Sequence, residues 1–72
     1  MKQYRFTLNI PYHLYQTHYS GTVSTVVVHS DEGLRLQLPA AKFRPFLTQT
    51  GVKGRFMLIT DHNNKFIRLE SL

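Results

Sequence analysis

Gln3-Tyr4-Arg5-Phe6-Thr7-Leu8-Asn9-Ile10 alternates polar and apolar side chains without interruption, and this stretch decides the fold class. Period-2 alternation places Tyr4, Phe6, Leu8 and Ile10 on one face of an extended strand, which must then be covered by a core. Pro11 stops the pattern, because its fixed φ ends a strand and suits a first helical turn. Behind it Tyr12, Tyr15 and Tyr19 recur at i, i+3 and i+7, with Ser20-Gly21 as a stop signal. That spacing predicts a short helix whose tyrosine stripe lies on the sheet.

Further along, Thr22-Val23 and Thr25-Val26-Val27-Val28 are rich in β-branched residues, and Ser30-Asp31-Glu32-Gly33 has the composition of a tight hairpin with Gly33 at positive φ. Leu34, Leu36 and Leu38 alternate with Arg35 and Gln37 on the return, and Pro39 closes it. Ala40, Ala41, Phe43, Phe46 and Leu47 hint at helical spacing, but Pro45 disfavours the α region for Arg44 and leaves a 3₁₀-like corner. Gly51 and Gly54 read as bracketing a turn. After it, Phe56 and Leu58 form a hairpin with Ile67 and Leu69 across Asp61-His62-Asn63-Asn64. The expected fold is mainly β (α+β): a small SH3-like five-stranded antiparallel barrel with one short helix between strands 1 and 2, which leaves few bare edges. A flat antiparallel sheet under the tyrosine helix satisfies the same pattern.

The chain has 72 residues and 8.4 kDa, which predicts one domain spanning 1–72. Ordering it costs on the order of 100 kcal/mol at ~1.5 per residue, so nearly every apolar side chain must serve the core. A deep ligand cavity of roughly 300 Å³ or more is therefore not expected, and neither is a self-sufficient enzyme. With 42% hydrophobic and 18% charged residues the composition is that of a folded chain. The absence of cysteine removes disulfides and thiolate metal sites, and Met1-Lys2-Gln3-Tyr4-Arg5 lacks the apolar run of a signal peptide. No apolar stretch approaches the ~18 residues of a membrane span. A cytoplasmic protein without a membrane partner is expected.

The residues offer little for chemistry. His13 and His18 are five apart on the predicted helix, about 140° around its axis, and His29 and His62 fall on distant elements, so no metal site is expected. Asp61-His62-Asn63 opens like a calcium loop, but Lys65 takes the fifth place, the sixth lacks glycine and Glu70 falls at the tenth. A hairpin turn using Asp and Asn for local backbone bonds fits better. His29-Ser30-Asp31 spells a triad on strand neighbours that point to opposite faces. No catalytic residue and no cofactor is expected.

Charge is the informative feature. Residues 42–68 carry Lys42, Arg44, Lys53, Arg55, Lys65 and Arg68 against Asp61 alone, whereas residues 1–41 set Lys2, Arg5 and Arg35 against Asp31 and Glu32. A basic half on a chain of net charge +5 is the footprint of contact with phosphates or another polyanion. Gly51-Val52-Lys53-Gly54-Arg55-Phe56 adds two cations beside glycines, although it departs from the RNP1 pattern at Arg55 and Phe56. Strand parity puts Phe66 on the face of Arg68, as a platform for a base. The expected function is thus a non-catalytic binding module for DNA or RNA, with Lys42, Arg44, Lys53, Arg55, Lys65 and Arg68 on phosphates and Phe66 stacking. The alternative is a protein-interaction or homo-oligomeric module pairing through a strand edge or the helix.

On the opening strand through Ile10, Tyr19-Ser20-Gly21, Leu38-Pro39-Ala40, Phe43-Arg44-Pro45-Phe46 and Gly51-Val52-Lys53-Gly54-Arg55-Phe56, the chain resembles a family of short bacterial proteins of unknown function. Some of its members carry a topoisomerase II label. The resemblance implies no activity, and the label conflicts with this sequence, which lacks an ATP site and a magnesium-binding carboxylate cluster.

Overall fold

A computed structural model describes residues 1–18 and 24–72. The helix exit Tyr19-Ser20-Gly21 and the start of the second strand at Thr22-Val23 lie outside the described residues. The order is β1 (Lys2–Pro11), α1 (Tyr12–His18), β2 (Thr25–His29), β3 (Arg35–Pro39), a 3₁₀ helix (Ala40–Phe46), β4 (Gly51–Thr60) and β5 (Phe66–Ser71).

β1 and β4 pair antiparallel along ten residues each, from Lys2 opposite Thr60 to Pro11 opposite Gly51. Gly51 and Gly54 therefore do not bracket a turn. The turn lies one step earlier, where Thr48 and Gly51 exchange backbone hydrogen bonds of 2.9 and 3.0 Å around Gln49-Thr50. Gly51 opens the strand at φ +113°, and a Cβ there would stand 2.0 Å from the Ile10 carbonyl oxygen. Glycine is what lets the β4 backbone close on the end of β1.

β5 adds to the other side of β4, and β2 and β3 form a separate two-stranded sheet. The barrel expectation is corrected here: the five strands make two sheets and do not close. Apart from their packed side chains, the sheets are tied by a bridge between Phe6 and Ser30 and by the Asp31 N–H donating to the Arg5 carbonyl at 2.8 Å. The hairpin meets the larger sheet at β1, and among the described residues no strand pairing joins it to β5 at the opposite edge. β2 and β3 have five residues each against ten in β1 and β4, so the hairpin covers only part of the long pair. An open cleft of about 340 Å³, lined by Tyr4, Leu34, Leu36 and Leu58 among others, remains between β3 and the far end of the long strands.

The core lies between the sheets. Phe6, Leu8 and Ile10 from β1 meet Val52, Phe56 and Leu58 from β4, with Val26, Val28 and Leu38 from the hairpin opposite. In the 3₁₀ helix Ala40, Phe43 and Phe46 recur every third residue, the period that aligns side chains on one edge of such a helix. Ala40 and Phe43 are fully buried, and the Phe43 ring meets Phe6 and Phe56 edge to face at 6.2 and 5.9 Å. Of the predicted tyrosine stripe, Tyr15 is buried and its hydroxyl donates to the Ala40 carbonyl at 2.6 Å, whereas Tyr12 is exposed. The helix thus docks on the 3₁₀ corner through Tyr15.

Candidate polyanion-binding face

Strand parity assigns the cations of β4. Even-numbered Val52, Phe56 and Leu58 turn to the core, so Lys53 and Arg55 turn to the opposite, solvent face of the three-stranded sheet. On the flanking strands the same face carries Arg5, paired with Met57, and Arg68, paired with Ile59. Met57 and Ile59 are nevertheless buried there. Their cross-strand partners are Gln3, Arg5, Arg68 and Glu70, whose aliphatic stems flank the central strand on both sides.

Of the seven residues the sequence singles out, Lys53, Arg55 and Arg68 share this outer face. Lys42 and Arg44 do not join it: they are exposed on the 3₁₀ helix, which packs on the other, core-facing side through Phe43. Lys65 sits in the β4–β5 turn, about 23 Å of strand away from Lys53 at ~3.3 Å per residue. Phe66 is also separated from Arg68. A register shift sets Ile59 opposite Arg68 but Thr60 opposite Phe66, so the alternation is broken between them. The Phe66 ring lies instead beneath the Lys42 ammonium, 4.5 Å from its centroid, in cation–π geometry.

Acidic neighbours occupy two of the cations. Arg55 donates in fork geometry to both Asp31 carboxylate oxygens, at 2.9 and 2.6 Å, and its Nη1 also donates to the Thr7 hydroxyl at 2.9 Å. This hydrogen-bonded fork holds the Asp31 carboxyl below the usual carboxylate range and the Arg55 guanidinium above its own, with the charge of Arg5 also acting on Asp31. Arg68 pairs with Glu70 along β5. Arg5, Lys53, Arg44 and Lys65 make no ion pair among the described residues. Apart from the half-buried Glu70 these groups are exposed, so the pairs compete with water and salt.

The β4–β5 turn is locally satisfied: the Asp61 carboxylate accepts from the backbone N–H groups of Asn63 and Lys65 at 2.8 and 2.9 Å. Among the described residues no three His, Asp or Glu side chains converge. The sequence misses Arg5 as a member of the face. Its own alternation with Tyr4 and Phe6 reveals that it points outward, but only the β1–β4 register reveals its neighbours.

Together these features define a small, mainly β module with two antiparallel sheets around a phenylalanine-rich core and a cation-bearing solvent face on the larger sheet. The chain belongs to the family described as "Protein of unknown function (DUF2835)", whose sequence model matches residues 2–72. No curated protein and no solved structure matches it. No helix among the described residues is long and apolar enough to cross a membrane.

Proposed function

We propose that this protein is a non-catalytic module that binds a polyanion, namely the phosphate backbone of nucleic acid, on the outer face of the three-stranded sheet. One observation carries the reading: register and parity bring Arg5, Lys53, Arg55 and Arg68 onto one solvent-facing surface. Lys53 and Arg5 make no ion pair among the described residues, although the charge of Arg5 acts on Asp31. Arg55 and Arg68 must exchange a carboxylate for a phosphate oxygen, and exposed ion pairs are weak enough for that exchange. Contacts of this kind position a backbone and carry no sequence information, so binding is expected to be sequence-tolerant.

Fluorescence anisotropy with a duplex oligonucleotide across a salt series tests it. Neutralising about four phosphates gives a log-log slope near ~3.6 in magnitude. Affinity that is absent at low salt, or independent of salt, overturns the reading.

A further inference from the structure

β5 is the outer strand of the larger sheet, and among the described residues its far edge has no neighbour. The direction of its backbone groups follows from the ladder. The Leu72 N–H donates to the Arg55 carbonyl at 2.9 Å, and the register continues through Met57 opposite Glu70 and Ile59 opposite Arg68. In an antiparallel ladder alternate residues bond inward, so Arg68 and Glu70 turn their backbone groups to β4, while Leu69 and Ser71 turn theirs outward. Such an edge is a template for another strand.

We propose that two copies of this chain pair antiparallel through β5, with Leu69 facing Leu69 of the second copy across the two-fold axis. The two three-stranded sheets become one continuous sheet. This register sets two outward-facing residues against each other at the axis, so each Leu69 N–H meets the other's carbonyl. Beside it lies the closer, non-hydrogen-bonded pair, in which Arg68 stands opposite Glu70 of the second copy, twice by symmetry, so that each arginine shares its own chain's Glu70 with that of the second copy. Ser71 follows, opposite Ile67 of the second copy, where the register shift interrupts the regular alternation.

Charge selects this register and this partner. Shifting the axis to residue 68 sets arginine against arginine, and shifting it to residue 70 sets glutamate against glutamate. Like charges directly opposite destabilise a strand pair. The order Arg68-Leu69-Glu70 is complementary to itself only when antiparallel and centred on Leu69. Charged side chains, lysine above all, guard many exposed edges against pairing, but the two signs on this edge stand in an order that a second copy satisfies. Pairing also covers Ile67, which is 42% exposed, and the half-buried Leu69.

The test is sedimentation equilibrium of the purified chain, without nucleic acid, over concentrations from roughly 1 μM to 1 mM. The measurement does not depend on the polyanion reading, although Arg68 belongs to both surfaces; Lys53→Gln, which lies outside β5, is expected to leave the association unchanged. The expected result is a mass rising from monomer to dimer and levelling there. Arg68→Glu and Glu70→Arg each weaken association by about tenfold or more by creating like-charged pairs, and the double exchange Arg68→Glu/Glu70→Arg restores it. Ser71→Pro removes an outward N–H and leaves the β4–β5 ladder intact, so it is expected to lower association while the circular dichroism spectrum is unchanged. A monomer mass over the whole range overturns the proposal. So does association that is insensitive to both single reversals, or association that passes the dimer without levelling.

Discussion

Gly51 is the residue on which the backbone has least latitude. It combines φ +113° with a position where any Cβ meets the Ile10 carbonyl oxygen at 2.0 Å, so a side chain adds strain and collision together. Gly51→Ala is expected to destabilise the fold by about 3 kcal/mol or more, read as a lower urea midpoint with the slope of the transition unchanged. Asp31 is the other pivotal residue, since its carboxylate holds Arg55 while its backbone N–H bonds the Arg5 carbonyl. A carboxyl depressed in the folded state contributes stability above the unfolded value near ~3.9, and that contribution is lost as pH falls through the lower folded value. Urea midpoints measured between pH 5 and pH 2 should therefore fall further for the native chain than for Asp31→Asn, to a degree limited by the exposure of the pair. The same substitution releases Arg55, so at low salt Asp31→Asn is expected to bind an oligonucleotide more tightly than the native chain. A weaker complex would place Arg55 outside the contact surface.

At the scale of elements, the 3₁₀ helix is the wedge between the sheets. Phe43 meets Phe6 and Phe56 with rings edge to face, and Phe46 meets Phe56 at 5.3 Å. Truncating a buried phenylalanine costs about 3–5 kcal/mol. A domain of this size has a total stability of about 4–11 kcal/mol at the usual per-residue value. Phe43→Ala is accordingly expected to leave the protein largely unfolded on warming, seen as an early, shallow melting transition and loss of near-ultraviolet circular dichroism. The corner itself is legible in the sequence because Pro45 blocks a longer helix while the three-residue recurrence of Ala40, Phe43 and Phe46 still supplies a buried edge. The β4 start is less legible. A glycine before a strand and a glycine within one look alike in sequence, and Gly51 belongs to the ladder because β1 is long enough to reach it.

At the scale of the whole molecule, the cations divide between two sides. Lys53, Arg55, Arg68 and Arg5 share the outer sheet face, while Lys42 and Arg44 lie with the 3₁₀ helix on the other side. If the outer face is the contact surface, Lys53→Gln should lower the magnitude of the salt slope by about 0.9, whereas Arg44→Gln should leave it unchanged. Equal losses from the two substitutions would indicate contact spread around the molecule by net charge alone. The same division explains why a basic half of the sequence does not become a single basic surface. Neighbours in the chain are separated by alternation along a strand, and by the fold's reversal between the 3₁₀ corner and β4.

By itself the sequence determines the elements: the alternation in β1, the hairpin at Ser30-Asp31-Glu32-Gly33, the corner at Pro45 and the turn built on Asp61 all rest on local backbone preferences and periodicity. The membership and neutralisation of the outer face were decided by tertiary structure. Arg5 joins Lys53 and Arg55 through the β1–β4 register, and Asp31 reaches Arg55 because its hairpin docks on β1. The open edge of β5 likewise follows from the strand order, which places β5 at the outside of the larger sheet with the β2–β3 hairpin in a sheet of its own. Alternation fixes which way a side chain points along its own strand, but which strands lie side by side is set by how the buried faces pack, and no local pattern encodes that choice.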